Sequence, residues 1–230
     1  MKYQKIGVYL SSKADLPESY TEAAQKVGEL IGRTGRTLVY GGARKGLMET
    51  LAQSVKANGG RVFGMVPDII VARGLESEAV DVTFRCVDLT DRKAMMNRES
   101  DVLVALPGGI GTLDEVFTVL ANSAIGIERK PVIFLNIDGC WNKLLEAVDD
   151  LCRQGLVSEK PGELFQVADS VEELAEMLMK KTFQLLTPSR LTGPKIGQSG
   201  NTAFYFFMKF YDETEKLRKI IANFARVVYK

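Results

Sequence analysis

Short apolar runs alternate along the chain, as far as about Lys181, with longer stretches in which apolar residues recur every three or four positions. The short runs are typical of strands buried on both faces of a sheet, and the longer stretches indicate helices with one buried face. The predicted strands are Ile6–Leu10, Thr37–Tyr40, Val62–Val66, Val80–Cys86, Val102–Leu106, Val132–Leu135 and Phe165–Val167. The predicted helices run from Pro17 to Arg33 and over Gly46–Ala57, Leu89–Glu99, Thr112–Ala124, Trp141–Arg153 and Val171–Lys181. This alternation predicts an α/β fold in which βα units form a mostly parallel sheet.

In such open sheets, ligands bind beyond the carboxyl ends of the strands, close to the point where the strand order reverses. The loops that follow Leu10, Tyr40, Val66, Val87 and Leu106 are therefore the places where a binding site is expected.

The chain is predicted to consist of a domain over residues 1–181 and an extension over residues 182–230. Thr187–Gly200 is rich in Gly, Pro, Ser and Thr, which is typical of a linker or surface arm. Residues 201–230 have helical spacing and an aromatic cluster around Phe206. Such a helix packs either on its own domain or on a second subunit, and the sequence leaves both interpretations open.

The composition restricts the chemistry. The chain contains no histidine, which excludes a Ser-His-Asp triad, a Cys-His pair and any zinc site that uses histidine. Its net charge is +1, so no broad basic surface for nucleic acid or for anionic membranes is expected. Three cysteines without a C-x-x-C motif argue against a disulfide framework. Because no long apolar segment is present, we expect a cytoplasmic protein without a membrane span.

A glycine-rich turn follows the apolar run Val102–Leu106 and precedes a predicted helix. Gly108, Gly109 and Gly111 allow the main chain to approach a ligand closely, and the helix behind them offers free N–H groups and a partial positive charge. Together these features predict a site for an anion, most commonly phosphate. The turn is neither the dinucleotide motif G-x-G-x-x-G nor a nucleoside-triphosphate P-loop.

Two interpretations of Thr112 and Glu115 compete. The spacing Thr-x-x-Glu at a helix start fits a capping box, which needs no ligand. However, the apolar stripe of this helix turns to the core and leaves Glu115 free to face a ligand. On that interpretation Glu115 carries chemistry, and Asp114 faces solvent or the helix dipole.

Positive charge is predicted at two other helix starts. Arg92 and Lys93 lie in the first turn after Val87, where Asp88 or Thr90 is expected to cap the helix. Cations oppose the helix dipole there, so an anionic ligand explains them better than local stability does. Arg44 and Lys45 precede another helix, but solvated surface charges are the simpler interpretation for these two.

Several motifs together resemble the LOG ("lonely guy") family, whose members are cytokinin riboside 5′-monophosphate phosphoribohydrolases. The family motif P-G-G-x-G-T-x-x-E is matched by Pro107–Glu115, and its upstream R-K pair by Arg92 and Lys93. Its glycine turn is matched by Tyr40-Gly41-Gly42 with Gly46-Leu47-Met48, and the strand end G-V-I-P by Gly64–Pro67. The resemblance covers about Lys5–Lys181.

The resemblance implies a Rossmann-like, doubly wound fold and a homodimer or dimer-based oligomer. It implies hydrolysis of an adenine-type nucleoside 5′-monophosphate to free base and ribose 5-phosphate, without cofactor or metal. Glu115 and Arg92 match catalytic positions. The positions implied to bind substrate are Lys93, Gly108, Gly109, Gly111, Thr112, Gly41, Gly42 and Met48.

The physical roles agree with these positions. Glu115 stabilises an oxocarbenium-like transition state and orients water, and Arg92 orients the nucleotide or Glu115, since an arginine does not readily donate a proton. The chain departs from the family where Ala121–Ala124 replaces a T-W-A-Q segment, which affects base recognition. A non-catalytic nucleotide or molybdenum-cofactor carrier of the same fold is the alternative. Lysine decarboxylation is excluded because no lysine has the context of a pyridoxal-phosphate lysine.

Overall fold

The computed structural model describes residues 3–179. Within that range the strands are β1 (Lys5–Tyr9), β2 (Thr37–Tyr40), β3 (Arg61–Pro67), β4 (Val82–Cys86), β5 (Val102–Ala105), β6 (Val132–Leu135) and β7 (Gln166–Ala168). The helices are α1 (Glu18–Arg33), α2 (Gly46–Ala57), α3 (Asp68–Ala72), α4 (Leu89–Glu99), α5 (Ile110–Ala124), α6 (Asn142–Arg153), α7 (Pro161–Leu164) and α8 (Val171–Met179).

All seven strands pair in parallel, in the order β4-β3-β2-β1-β5-β6-β7. The chain builds outward from β1 to β4 on one side and then returns to place β5 on the other side of β1. The strand order therefore reverses between β1 and β5, where Gly7 pairs with Val39 of β2 on one side and with Leu103 of β5 on the other. This reversal is the place where an open α/β sheet binds its ligand.

Helices cover both faces of the sheet. One apolar layer joins α1, α2 and α8 to the sheet through residues such as Val27, Leu51 and Leu174. The other layer joins α4, α5 and α6 to the opposite face through residues such as Met96 and Val116. The predicted Rossmann-like, doubly wound α/β architecture is thus confirmed. The four residues of each central strand β5 and β6 are all buried, which explains why their sequences are uniformly apolar.

The predicted elements agree with the structure to within a few residues, with three omissions. The short helices α3 and α7 and the 3-10 turn Ile137–Gly139 were not predicted. Helix α5 begins at Ile110, two residues before the predicted start, which changes the interpretation of Thr112 below. The extension over residues 182–230 lies outside the described residues, so its predicted helix stays a prediction. None of the helices in residues 3–179 has the length and apolarity needed to span a membrane.

Candidate active site

A cavity of about 330 Å³ lies at the carboxyl edge of the sheet, at the reversal of strand order. It is formed by the loops that follow β1, β2, β3 and β5 and by the first turns of α2, α4 and α5. The lining residues are Leu10, Ser11, Ser12, Lys13, Gly41, Ala43, Met48, Pro67, Ile70, Leu89, Arg92, Gly109, Gly111, Thr112 and Glu115. The loops selected from the predicted topology therefore do meet in one place.

The glycine turn forms one end of this cavity. Gly109 is the N-cap of α5, and a Cβ atom at Gly109 or Gly111 would meet no atom within 4 Å, so both glycines border open space. The first N–H groups of a helix have no acceptor within the helix. The turn thus presents main-chain donors and the positive end of the α5 dipole to the cavity, as an anion site requires.

The capping-box interpretation of Thr112 and Glu115 is wrong. Because α5 begins at Ile110, Thr112 is the third residue of the helix and not its N-cap, and no side chain caps this helix. The Thr112 side chain is buried against Gly108, where a Cβ atom would lie 2.6 Å from the Thr112 Cβ. Glu115 is one turn further along α5 and is free for another role.

Glu115 and Arg92 form an ion pair inside the cavity. Arg92 Nη2 lies 3.1 Å from Glu115 Oε1, and the two side chains are only 17% and 9% exposed. Burial raises the pKa of the Glu115 carboxyl and Asp114 adds to the increase, whereas Arg92 and, more weakly, Lys93 oppose it. A carboxyl with a raised pKa beside a buried guanidinium is typical of a functional site.

Two local features hold Arg92 in place. Asp88 caps α4, as predicted, because its Oδ1 accepts a hydrogen bond from the Asp91 N–H at 2.8 Å. Gly41, directly after β2, leaves room for the guanidinium: a Cβ atom there would lie 2.7 Å from Arg92 Cζ and 2.8 Å from Met48 Cε. The side chain of Arg92 therefore lies over the end of β2.

A buried tyrosine lies close to the ion pair. Tyr9, the last residue of β1, is 2% exposed, and burial together with the negative charge of Glu115 raises its pKa far above the usual value. Neither the Tyr9 hydroxyl nor Arg92 Nε has a hydrogen-bond partner within residues 3–179. Burial of the neutral phenol beside the pair lowers the local dielectric, which strengthens the attraction between Arg92 and Glu115.

The structure gives Lys93 a partner outside the cavity lining. Its Nζ lies 2.8 Å from both carboxylate oxygens of Asp114, across the contact between α4 and α5. Asp114 is 57% exposed, as expected for the residue predicted to face solvent. Arg44 makes surface contacts with Glu78 and the Gly74 carbonyl, in agreement with its simpler interpretation.

Most of the predicted site residues meet in the cavity, and a few do not line it. The predicted residues that line the cavity are Gly41, Met48, Arg92, Gly109, Gly111, Thr112 and Glu115. Those that do not line it are Gly42, Lys93 and Gly108. Gly42 has a φ of +70° and lets the β2 turn pass close to Val66.

Three or more Asp, Glu and Cys side chains do not cluster as metal ligands anywhere in residues 3–179.

Sequence reasoning missed several lining residues. Ser11, Ser12 and Lys13 follow β1, and Ile70 lies on the unpredicted helix α3. The strand-end rule had selected the loop after β1, and the presence of a lysine in that loop was the signal available in the sequence.

Substitution Gly41→Ala tests whether the placement of Arg92 matters. The added methyl group overlaps Arg92 Nη2 and forces the guanidinium away from Glu115. A misplacement of a catalytic group by about 1 Å costs roughly 100-fold in rate. For the nucleotide hydrolysis that the family resemblance implies, we therefore expect kcat to fall about 10- to 100-fold with the fold retained. The measurement is steady-state kinetics combined with a thermal melt.

The matched control is Gly162→Ala, because a Cβ atom at Gly162 meets nothing within 4 Å and the residue lies in α7, away from the cavity. This variant should keep the wild-type kcat. Unchanged kcat and KM in Gly41→Ala would show that the position of Arg92 is not critical.

Comparisons with known proteins agree with this geometry. A family model described as "Possible lysine decarboxylase" matches residues 48–178. The cytokinin riboside 5′-monophosphate phosphoribohydrolase LOG3 of Arabidopsis thaliana is 36% identical over 177 residues, which cover 77% of this chain and 82% of the plant protein. The cytokinin riboside 5′-monophosphate phosphoribohydrolase LOG1 of Arabidopsis thaliana is 37% identical over 178 residues, which cover 77% of this chain and 83% of that protein.

The solved structures of similar fold include proteins that bind or carry the molybdenum cofactor. The molybdenum cofactor binding protein of Rippkaea orientalis is 29% identical with a TM-score of 0.58, covering 77% of this chain and 96% of that chain. The molybdenum cofactor carrier protein of Chlamydomonas reinhardtii is 27% identical with a TM-score of 0.60, covering 76% and 94%. The same fold is therefore found both in hydrolases and in carriers.

Proposed function

This chain belongs to the family of the cytokinin riboside 5′-monophosphate phosphoribohydrolases, and we propose that it hydrolyses the N-glycosidic bond of an adenine-type nucleoside 5′-monophosphate. The substrates proposed are AMP or a cytokinin ribotide, and the products are the free base and ribose 5-phosphate. The observation that carries the proposal is the buried ion pair of Glu115 and Arg92, 3.1 Å apart, in the same cavity as the glycine turn.

The order of residues across the cavity supports the orientation of the nucleotide. Ala43, Met48, Pro67, Ile70 and Leu89 give the end beside β2, β3 and α4 an apolar lining that suits a flat base. The glycine turn after β5 forms the opposite end and suits the 5′-phosphate. The ion pair joins Arg92 of α4, at the base end, to Glu115 of α5, behind the glycine turn, so the ribose C1′ atom is expected beside Glu115.

Glu115 and Arg92 divide the chemistry of the proposed reaction. As the bond between C1′ and the base nitrogen breaks, its electron pair leaves with the base and positive charge grows on the ribose. The Glu115 carboxylate stabilises that charge and orients the water whose oxygen bonds to C1′. The water supplies hydroxide to the sugar and a proton to the base, so atoms and charge balance. Arg92 keeps Glu115 ionised and oriented.

The phosphate end contributes position. Gly109, Gly111 and Thr112, with Gly108 packed against Thr112, are proposed to hold the phosphate. Gly42 is proposed to act from the turn after β2, which it keeps close to β3. Fixing the phosphate converts its binding energy into placement of C1′ beside the carboxylate. Met48 is proposed to contact the base. Lys93, a binding position in the family resemblance, is held by Asp114 outside the cavity lining and is assigned no contact with the nucleotide.

A carrier that binds a nucleotide without turning it over is the second candidate, because the similar solved structures include molybdenum cofactor carriers. A carrier needs the glycine turn but has no use for a buried carboxylate at the sugar. Glu115, with its raised pKa, is the feature that favours the hydrolase.

The test is incubation with AMP and with isopentenyladenine ribotide, followed by chromatographic measurement of base and ribose 5-phosphate. We expect equimolar release of both products, and much slower release from adenosine, which lacks the phosphate. Tight binding of the nucleotides by calorimetry without any product would instead establish the carrier.

The proposal includes a homodimer and a cytoplasmic location, both in keeping with the family resemblance. Apolar side chains on and after α5 support a subunit contact, since Ile110, Phe117, Ile125 and Ile127 are 82%, 39%, 72% and 70% exposed in the single chain.

A further inference from the structure

We propose that Lys13, and not Lys93, supplies the positive charge that binds the 5′-phosphate. This inference rests on the proposed function, because it identifies a binding residue for the same nucleotide. It begins from the charges in the cavity. Among the lining residues within 3–179, Lys13 and Arg92 are basic and Glu115 is acidic.

The Arg92 side chain is in an ion pair, whereas the Lys13 side chain has no such partner among residues 3–179. The guanidinium of Arg92 is held by Glu115 at 3.1 Å. Lys93 is held by both oxygens of Asp114 and lies outside the lining. The Lys13 ammonium group makes no ion pair or hydrogen bond within the described part of the chain, and its side chain is exposed at the cavity. Among residues 3–179, Lys13 is therefore the lining cation that a phosphate dianion would meet without first breaking an ion pair.

The main chain fixes the root of Lys13 beside the glycine turn. The Ser11 N–H donates to the Pro107 carbonyl at 3.2 Å, which joins the loop after β1 to the loop after β5. The Lys13 N–H in turn donates to Ser11 Oγ at 3.1 Å. The loop is thus attached to the residue that directly precedes the phosphate-binding glycines.

The opposite side of the same loop is fixed by Gly46. This glycine has a φ of +52°, and a Cβ atom there would lie 2.5 Å from the carbonyl carbon of Lys13. The first turn of α2 therefore packs directly on the backbone of Lys13. Because its backbone is held between Gly46 and Ser11, the lysine needs to order only its side chain when it reaches a ligand.

The geometry assigns Lys13 to the phosphate rather than to the base. Its loop is hydrogen-bonded to Pro107, directly before the glycine turn. The apolar residues proposed to contact the base lie after β2, at the end of β3 and on α2, α3 and α4. The flexible, strongly hydrated ammonium group is a common partner of phosphate oxygens.

The experiment compares Lys13→Gln with Lys93→Gln, which remove the same charge at two positions. Binding of ribose 5-phosphate is measured by calorimetry, because this probe carries the phosphate and has no glycosidic bond to hydrolyse. We expect Lys13→Gln to weaken binding roughly 10- to 100-fold, as for a lost charge-assisted hydrogen bond, and Lys93→Gln to change it less than about threefold. Lys13→Arg should restore most of the affinity.

Binding of adenine is the second probe and should be equal in all variants, since adenine has no phosphate. Equal affinity of Lys13→Gln and wild type for ribose 5-phosphate, or a larger loss in Lys93→Gln, overturns the proposal. Failure of the proposed function has a separate signature: AMP binds and depends on Lys13, but no base is released. A wild-type protein that binds neither AMP nor ribose 5-phosphate contradicts both.

Discussion

Glu115→Gln is expected to lower kcat for AMP hydrolysis about 100- to 10,000-fold, the usual contribution of a positioned acid–base group. The glutamine has nearly the same shape and its amide oxygen still accepts a hydrogen bond from Arg92, so the cavity keeps its form. It has no charge to stabilise the ribosyl cation. We therefore expect the Kd for AMP to change only a few-fold, because the loss falls on the transition state.

The matched control for this prediction is Asp114→Asn, the same change from acid to amide at the neighbouring residue. Asp114 is 57% exposed and pairs with Lys93 on the outside of the site. This variant should keep kcat at its plateau pH within about threefold. If Glu115→Gln and wild type release adenine at the same background rate, the reaction is not catalysed in this cavity.

The position of the site could be predicted from the sequence because it depends on topology. Continuous apolar strands such as Val102–Ala105 and Val132–Leu135 indicate a parallel sheet, and a parallel sheet places its loops at one edge. Because the glycine turn directly follows a buried strand, it could be placed at that edge of the sheet from the sequence alone. The bounds of α2 and α4 were predicted correctly, since glycine turns bracket α2 and Asp88 caps α4.

The partners of individual side chains could not be predicted in this way. Whether Lys93 faces the cavity or Asp114 depends on how α4 packs against α5, which no local pattern determines. The same contact buries Glu115, which the periodicity of α5 places off the apolar face. Lys13 was missed because its placement depends on the approach of Gly46 to the loop after β1, a tertiary contact.

The pH dependence of kcat/KM is expected to report the ionisation of Glu115. Activity requires the carboxylate, so it should decline below the pKa of Glu115, which burial raises above the ordinary value of 4.5. The charged and titratable groups around it are Arg92 and Lys93, which lower its pKa, Asp114, which raises it, and the buried neutral phenol of Tyr9. The acid limb of the profile should therefore lie at a higher pH than that of an exposed glutamate.

Substitution Arg92→Met should move that limb in a known direction. Removing the guanidinium takes away the largest influence that favours the carboxylate, so the pKa of Glu115 rises further and the acid limb moves to higher pH. At the plateau, kcat/KM should fall about 100- to 1,000-fold, as for loss of one preorganised electrostatic contact. The profile is measured at high enzyme concentration, with a thermal melt to establish that the variant is folded.

Asp114→Asn is expected to shift the pKa of Glu115 in the opposite direction in the same experiment. This change removes a negative charge that raises the pKa of Glu115 and leaves Lys93 unpaired nearby, so the acid limb should move to lower pH. A merely structural role for Arg92 would lower activity without moving the limb. If the limb stays in place in both variants, another group sets the pH dependence, and Glu115 is not the carboxylate that must be ionised for the reaction.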